Sequence, residues 1–373
     1  MSCSLPQTLA VLEQGVADRL HVGAQFYVSQ RDQVLADAAV GHTALNGEGE
    51  PLTPEHLTVW LSAGKPITAV AVAQQYEQGR LRLDDLVASH IPEFDQHNKA
   101  GITVRHLLTH TAPLRTARFN FPDDDWDTII ASICAARPEP RWTPGEKAGY
   151  SPHSHWYLLA EIVRRLAGER YSVAVRQNVL EPAGMADSWI GMPSMAYYKY
   201  GSRIARMPDT GIDETKRENL PYHAMPWCVN CRPSANACGP ARELGRFYEL
   251  LLHGGQHATP ASPRLLEQAT VDLFTSRHRE DMFDQTFKQT VDWGLGFILN
   301  SYHHGGDDIP YQFGPHASPL TFGHGGSQSS IAFADPKHQL AVAIICLGRP
   351  GEDAHRQRMN EVLRTLYWEL GLG

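Results

Sequence analysis

A serine followed three residues later by a lysine, Ser62-Ala63-Gly64-Lys65, puts a hydroxyl and an amine on one face of a helical turn. The pairing matters because a serine hydroxyl is a poor nucleophile until a neighbouring base takes its proton. Twenty serines and seven lysines in 373 residues give about 0.4 such pairs by chance. On these four residues alone, an N-capping serine beside a surface lysine is the simpler reading. Two further stretches could add chemistry. Gly145–His155, GEKAGYSPHSH, carries Tyr150 in a loop of small residues, where a tyrosine is usually a half-buried anchor. As a proton carrier it would need a depressed pKa, which a nearby ammonium such as Lys65 could supply. Gly323-His324-Gly325-Gly326-Ser327 precedes a strand-like run; its small residues would let backbone lie close to a ligand, or simply form a hairpin turn.

The elements that must position these groups follow from the hydrophobic pattern. Apolar residues at helical spacing predict helices over 5–20, 66–78, 154–167, 241–253 and 353–371, several of them stopped by glycine. Ala24–Ser29 and Gln33–Val40 form a predicted hairpin, Leu57–Leu61 is a short apolar run entering Ser62, and residues 42–56 form a polar loop. Further strands are expected at Trp293–Asn300, Ser329–Ala334 and Leu340–Leu347, with Asp335-Pro336-Lys337-His338 turning between the last two. Residues 195–235 lack periodicity and are expected to be irregular. Strands therefore bracket a helical middle. The expected fold is α+β, with an α/β lobe from 1–65 and 236–373 and a mostly helical lobe from 66–235.

Composition narrows the function. The formal charge is −8, and a surplus of acid disfavours a nucleic-acid partner, because neutralising phosphates takes basic groups. No run of 18 apolar residues predicts a membrane span, and the start, MSCSLPQTLAVLEQGVADRL, lacks the pattern of an export signal, so a cytoplasmic location is expected. Six cysteines, three scattered (Cys3, Cys134 and Cys346) and three close together (Cys228, Cys231 and Cys238), are read as free thiols. Cys228-Val-Asn-Cys231 has no second ligand pair at zinc-finger spacing. His106 and His110 stand at i, i+4 with no acidic third ligand. His303, His304 and His316 are read as surface loop, with pocket lining as the alternative. No cofactor or metal is expected. The patterns G-x-S-x-G, Walker A, H-E-x-x-H and G-x-G-x-x-G are absent.

Taken in order, the serine, tyrosine and glycine-rich elements resemble the penicillin-binding-protein and class C β-lactamase superfamily of serine hydrolases, most closely its esterase-like members. Ser62–Phe94 is similar to that family's first-motif helix and the segment after it, and Ile102–Leu114, ITVRHLLTHTAPL, to its "ITVRHLLTHTAGL" stretch. Leu158–Gly168, Leu180–Met185, Trp293–Phe297 and Phe333–Pro336 extend the likeness over nearly the whole chain. The resemblance implies a two-lobed β-lactamase/transpeptidase-like fold with an active site between the lobes and an acyl-enzyme on Ser62. Lys65 and Tyr150 would then share the general-base and general-acid work, and the backbone N–H groups of Ser62 and Ser327 would form the oxyanion hole. His153, His324, Gly325, Gly326 and Trp227 are the implied or candidate substrate contacts.

Two departures bear on the substrate. Where the family has Asn two residues after the tyrosine, this chain has Pro152, or His153 if one residue is inserted. Where the family's third motif carries lysine, this chain has His324, largely neutral at pH 7. An uncharged or differently anchored acyl substrate is therefore expected. The expected activity is ester or amide cleavage by a carboxylesterase-like serine hydrolase. The alternatives are an acyltransferase or transesterase with an alcohol or amine acceptor, then a β-lactamase or D-aminopeptidase, or an inactive binding homologue. The partner is a small-molecule acyl substrate, its identity set by loops around 115–125, 190–235 and 300–318; the oligomeric state is open.

Overall fold

The computed structural model describes residues 2–45, 49–256 and 264–373. A seven-stranded antiparallel sheet holds the two chain ends together. Its strands are β1 (Ser2–Cys3), β2 (Gly23–Gln30), β3 (Gln33–Gly41), β4 (Ile298–Leu299), β5 (Phe322–Gly326), β6 (Ser330–Asp335) and β7 (Leu340–Cys346), in the order β1-β3-β2-β7-β6-β5-β4. The helices that matter below are α1 (Pro6–Ala17), α2 (Lys65–Glu77), α3 (Val104–Leu108), α4 (Trp126–Ala135), α5 (Ser154–Ala167), α6 (Ala241–Leu252), α7 (Gln268–Thr275) and α8 (Glu352–Glu369).

The sheet is buried on both faces, and its strands sort their side chains with period two. Phe26, Val28, Ile331, Phe333, Val342 and Ile344 point to one side, where Leu12 of α1 and Val362, Leu363 and Leu366 of α8 cover them. Tyr27, Ala332, Ala334, Ala341, Ala343 and Ile345 point to the other, against Leu244, Phe247 and Tyr248 of α6. That second core runs on into α2, α4 and α5. The sheet and the helical middle thus share an interior.

Helix α5 matches its expected span, and it stops at Gly168, whose φ of 73° only glycine adopts at little steric cost. Two expectations fail. The strand expected over Trp293–Asn300 shrinks to β4, because Gly296 takes φ 89° and its N–H bonds the Leu108 carbonyl instead of a neighbouring strand. Residues 195–235, expected to be irregular, contain helices at Ser194–Tyr200 and Met225–Val229 with short 3₁₀ turns between. These are one or two turns long, too short to leave a periodic signal. The polar loop expected over 42–56 falls partly outside the described residues, at 46–48.

Ser62 lies just before a helix rather than inside one. A 3₁₀ turn, Leu61–Gly64, leads into α2, whose second residue is Pro66. Leu61 takes φ 49°, a left-handed conformation that typically costs a leucine about 1–2 kcal/mol. Its side chain is locked among Ala39, Leu52, Val59, Met207 and Leu347, and that packing holds the strained turn in place.

Candidate active site

The three groups singled out by the sequence meet at one point. Ser62 Oγ lies 2.7 Å from Lys65 Nζ and 2.9 Å from the Tyr150 hydroxyl. Ser62 is partly exposed at the floor of a cavity of about 780 Å³, whereas Lys65 is fully buried beneath it. Besides Ser62, the amine contacts the Ser234 carbonyl, at 2.5 Å. Burial first, and the positive charge of Arg232 second, hold the Lys65 amine well below its ordinary pKa. Burial also raises the Tyr150 phenol; the bond to Ser62 works against that rise and nearby Asp284 adds to it. The expectation that Lys65 would lower the Tyr150 pKa is therefore not met, because desolvation of the phenolate outweighs it. The arrangement is an amine of depressed pKa and a phenol of raised pKa on either side of one hydroxyl.

Tyr150 is held by a buried carboxylate that the sequence did not single out. Its N–H reaches both Asp284 oxygens at 3.0 Å, and the Thr286 and Phe287 N–H groups also donate to Asp284. Arg279, also buried, pairs with Asp284 at 3.0 Å. The Tyr150 ring stacks on Phe287 at 4.9 Å and on Trp293 at 5.8 Å. His110 supports the same loop: its Nδ1 accepts the Ser151 N–H at 3.0 Å and its carbonyl accepts the Gly149 N–H. His106 Nδ1 accepts the Thr103 N–H as part of the cap of α3. Both histidines that could have mimicked metal ligands thus have structural work.

The third motif forms β5 and the turn after it. Gly326 presses against the turn that carries Ser62: a Cβ on it would stand 2.3 Å from the Trp60 carbonyl oxygen. Gly326 therefore serves backbone packing and does not line the cavity, whereas His324, Gly325 and Ser327 do line it. Neither the Ser327 N–H nor the Ser62 N–H has a hydrogen-bond partner among the described residues, whereas the neighbouring Ala63 N–H bonds the Trp60 carbonyl. His324 is buried, and that burial, with Lys65 as the second cause, lowers its pKa to about 3. Its Nδ1 faces the Gly325 carbonyl at 2.7 Å, so that nitrogen carries the hydrogen and Nε2 is left without a protein partner.

Pro152 and His153 both line the cavity. His153 Nδ1 lies 3.0 Å from Ser234 Oγ, and its Nε2 lies 3.0 Å from Arg232 Nη2. Trp227 is at the cavity wall, 4.6 Å from the Tyr222 ring and 5.1 Å from that of Phe121. Ser234 and Arg232 are the site residues that sequence reasoning missed. Their contribution is a carbonyl, which any residue type offers, and a cation lying in a stretch expected to be irregular.

His303, His304 and His316 are outside the cavity lining. His304 bonds Asp292 at 3.1 Å, and His316 packs near the Tyr367 ring. Among the described residues, Asp281, His303 and His304 form the one cluster with metal-ligand spacing, away from Ser62. All six cysteines are free.

The family model described as Beta-lactamase matches residues 10–365. Esterase EstB of Burkholderia gladioli is 28% identical over 204 residues, 48% of this chain and 49% of that protein, so this chain spans about half the length of that relative. Among solved structures, a penicillin-binding protein homologue from Caulobacter crescentus is 28% identical with a TM-score of 0.78, covering 99% of both chains. A family VIII carboxylesterase, 23% identical with a TM-score of 0.79 over 97% of this chain and 98% of that one, shares the fold.

Proposed function

Because the chain belongs to the Beta-lactamase family, with that family's β-lactamase/transpeptidase-like fold, we propose that it is a carboxylesterase-like serine hydrolase that cleaves an ester or amide through an acyl-enzyme on Ser62. The observation that carries the reading is the Ser62 oxygen held 2.7 Å from a buried amine and 2.9 Å from a buried phenol at a cavity floor. The catalytic cleft lies between a lobe of 1–65 with 236–373 and a lobe of 66–235. Tyr150 comes from the helical lobe, and Ser327 from the sheet lobe.

In the acylation step Lys65, its pKa depressed by burial, takes the Ser62 proton as Oγ bonds to the substrate carbonyl carbon. The carbonyl oxygen becomes an oxyanion facing the N–H groups of Ser62 and Ser327. Collapse breaks the bond to the leaving group, which takes its proton from the Tyr150 phenol. An alkoxide is more basic than a phenolate, so a phenol of raised pKa is still a competent acid here. The proton on Lys65 then returns to the phenolate. Water attacks the acyl-enzyme by the reverse relay and frees Ser62.

Transfer of the acyl group to an alcohol or amine is the second reading. A cavity of about 780 Å³, walled by Tyr222, Trp227, Phe287 and Tyr311, has room for an organic acceptor beside an acyl chain. An inactive binding role fits poorly with the assembled hydroxyl, amine and phenol. Six unpaired cysteines support a reducing compartment, in keeping with the cytoplasm, and no helix among the described residues is long and apolar enough to cross a membrane. The test is covalent labelling with a fluorophosphonate. The native protein should be labelled and Ser62→Ala should not; labelling that persisted in the variant would reject Ser62 as the nucleophile.

A further inference from the structure

The cavity holds one cation that no protein carboxylate balances. Arg232 lines it, and among the described residues no Asp or Glu forms an ion pair with its guanidinium. Phe121 and Trp227 stand beside the guanidinium, with ring centroids 4.8 Å and 5.1 Å away. Its Nε is buried without a partner. One terminal N–H points to His153 Nε2 at 3.0 Å. A guanidinium only donates, so His153 Nε2 must be the acceptor and Nδ1 must carry the hydrogen that reaches Ser234 Oγ. His153 is fixed in that neutral state, its pKa lowered to about 2 by burial and then by Arg232. Burial lowers the Arg232 pKa too, but a guanidinium remains charged at any working pH. Lys65 is buried beneath Ser62 and does not line the cavity, so Arg232 is the unbalanced positive charge of the lining, and its fork has donors to spare.

The outer wall is built differently. Asp308 and Asp353 are both paired with Arg356, and Glu352 accepts from Tyr311 and Gln328. These acidic groups disfavour an anion at the mouth and leave the inner end as the place for one. A charge this far desolvated is expensive without a counter-charge, and a carboxylate fits the planar guanidinium fork with two parallel hydrogen bonds.

We propose that Arg232 is a specificity-determining residue that binds a carboxylate carried by the substrate, so that the preferred substrates are esters or amides bearing a free carboxylate. The inference rests on the acyl-enzyme reading above and adds the substrate class to it.

The test compares matched esters. p-Nitrophenyl hemiglutarate against p-nitrophenyl butyrate places the carboxylate on the acyl side. The butyrate esters of 4-hydroxybenzoic acid and of its methyl ester place it on the leaving side. In at least one pair the charged ester should have a kcat/KM about tenfold or more above its neutral mate, the scale of one charge-assisted contact. Arg232→Gln should abolish that ratio whatever it does to absolute rates, and Arg232→Lys should restore part of it. No charged preference in either pair, or a preference unchanged in Arg232→Gln, would overturn the inference while leaving the acyl-enzyme intact. If no ester acylates Ser62, the acyl-enzyme reading fails instead, and glutarate binding decides the carboxylate site. Glutarate should raise the melting temperature of the native protein and not of Arg232→Gln; an equal response in both would overturn the site.

Discussion

Replacing Asp284 by alanine separates what holds Tyr150 from what Tyr150 does. The carboxylate is fully buried and accepts from the N–H groups of Tyr150, Thr286 and Phe287 and from Arg279. Its removal strands the Arg279 guanidinium, which keeps only the carbonyls of Thr109 and Val291. Removing one partner of a buried ion pair typically destabilises by about 3–5 kcal/mol. An unfolding entropy of about 2.1 cal/mol/K per residue over 373 residues amounts to roughly 0.8 kcal/mol/K, so the melting temperature should fall by about 4–6 °C. Adding Arg279→Met removes the stranded charge and should recover part of that loss. Activity should not recover with it, because the Tyr150 loop is still untethered, and a shift of about 1 Å in a reacting group lowers the rate by about 10²-fold. The assay pairs thermal unfolding with kcat/KM on p-nitrophenyl butyrate for the single and double variants. A single variant that melts within 1 °C of the native protein and turns over at the native rate would refute the anchoring argument. So would a double variant that regains full activity.

Lys65→Met, which keeps the buried volume and removes the base, should lower kcat about 10²–10⁴-fold without lowering the melting temperature. Single-turnover kinetics would check the first part and calorimetry the second. Tyr150→Phe keeps the ring stack on Phe287 and Trp293 but removes the acid, so acylation by a phenyl ester, whose leaving group needs little protonation, should suffer less than acylation by an alkyl ester. The pH–rate profile should rise with deprotonation of Lys65 at a value well below that of an ordinary amine, then stay flat to high pH because burial raises the Tyr150 pKa. Stability should also depend on pH through buried histidines. His21, His155 and His324 are lowered to about 3 and His153 to about 2, in each case first by burial. They stay neutral in the fold but charge in the unfolded chain below about pH 6.5. Their contribution is therefore complete above that pH and is lost as the pH falls toward 3, at about 5 kcal/mol per pH unit for the four together. Urea midpoints at pH 7, 6 and 5 should fall steeply; a flat series would contradict the burial argument.

The meeting of Ser62, Lys65 and Tyr150 was legible because their residue types could carry chemistry and their order along the chain is distinctive. Four of the five expected helices fall within two residues of the observed spans, α5 and α8 because they are long and one-sided, whereas short helices such as α3 left no periodic signal. Trp293–Asn300 misled because its apolar run is interrupted by Gly294 and Gly296, and the backbone there turns toward α3. Ser234 left no trace because it acts through a main-chain carbonyl. Asp284 looked like any loop aspartate; its burial and its bond to Tyr150 join residues 134 positions apart. Arg232 was hidden in the stretch with no period, so an expectation of an uncharged or differently anchored substrate was as far as the third motif allowed.

The central claim is that Ser62 carries the acyl group. The direct measurement is intact-protein and peptide mass spectrometry after quenching a reaction with p-nitrophenyl butyrate. The account predicts an added butyryl mass on the peptide containing Ser62, and none in Ser62→Ala. A butyryl group on another residue, or steady turnover by Ser62→Ala, would contradict it.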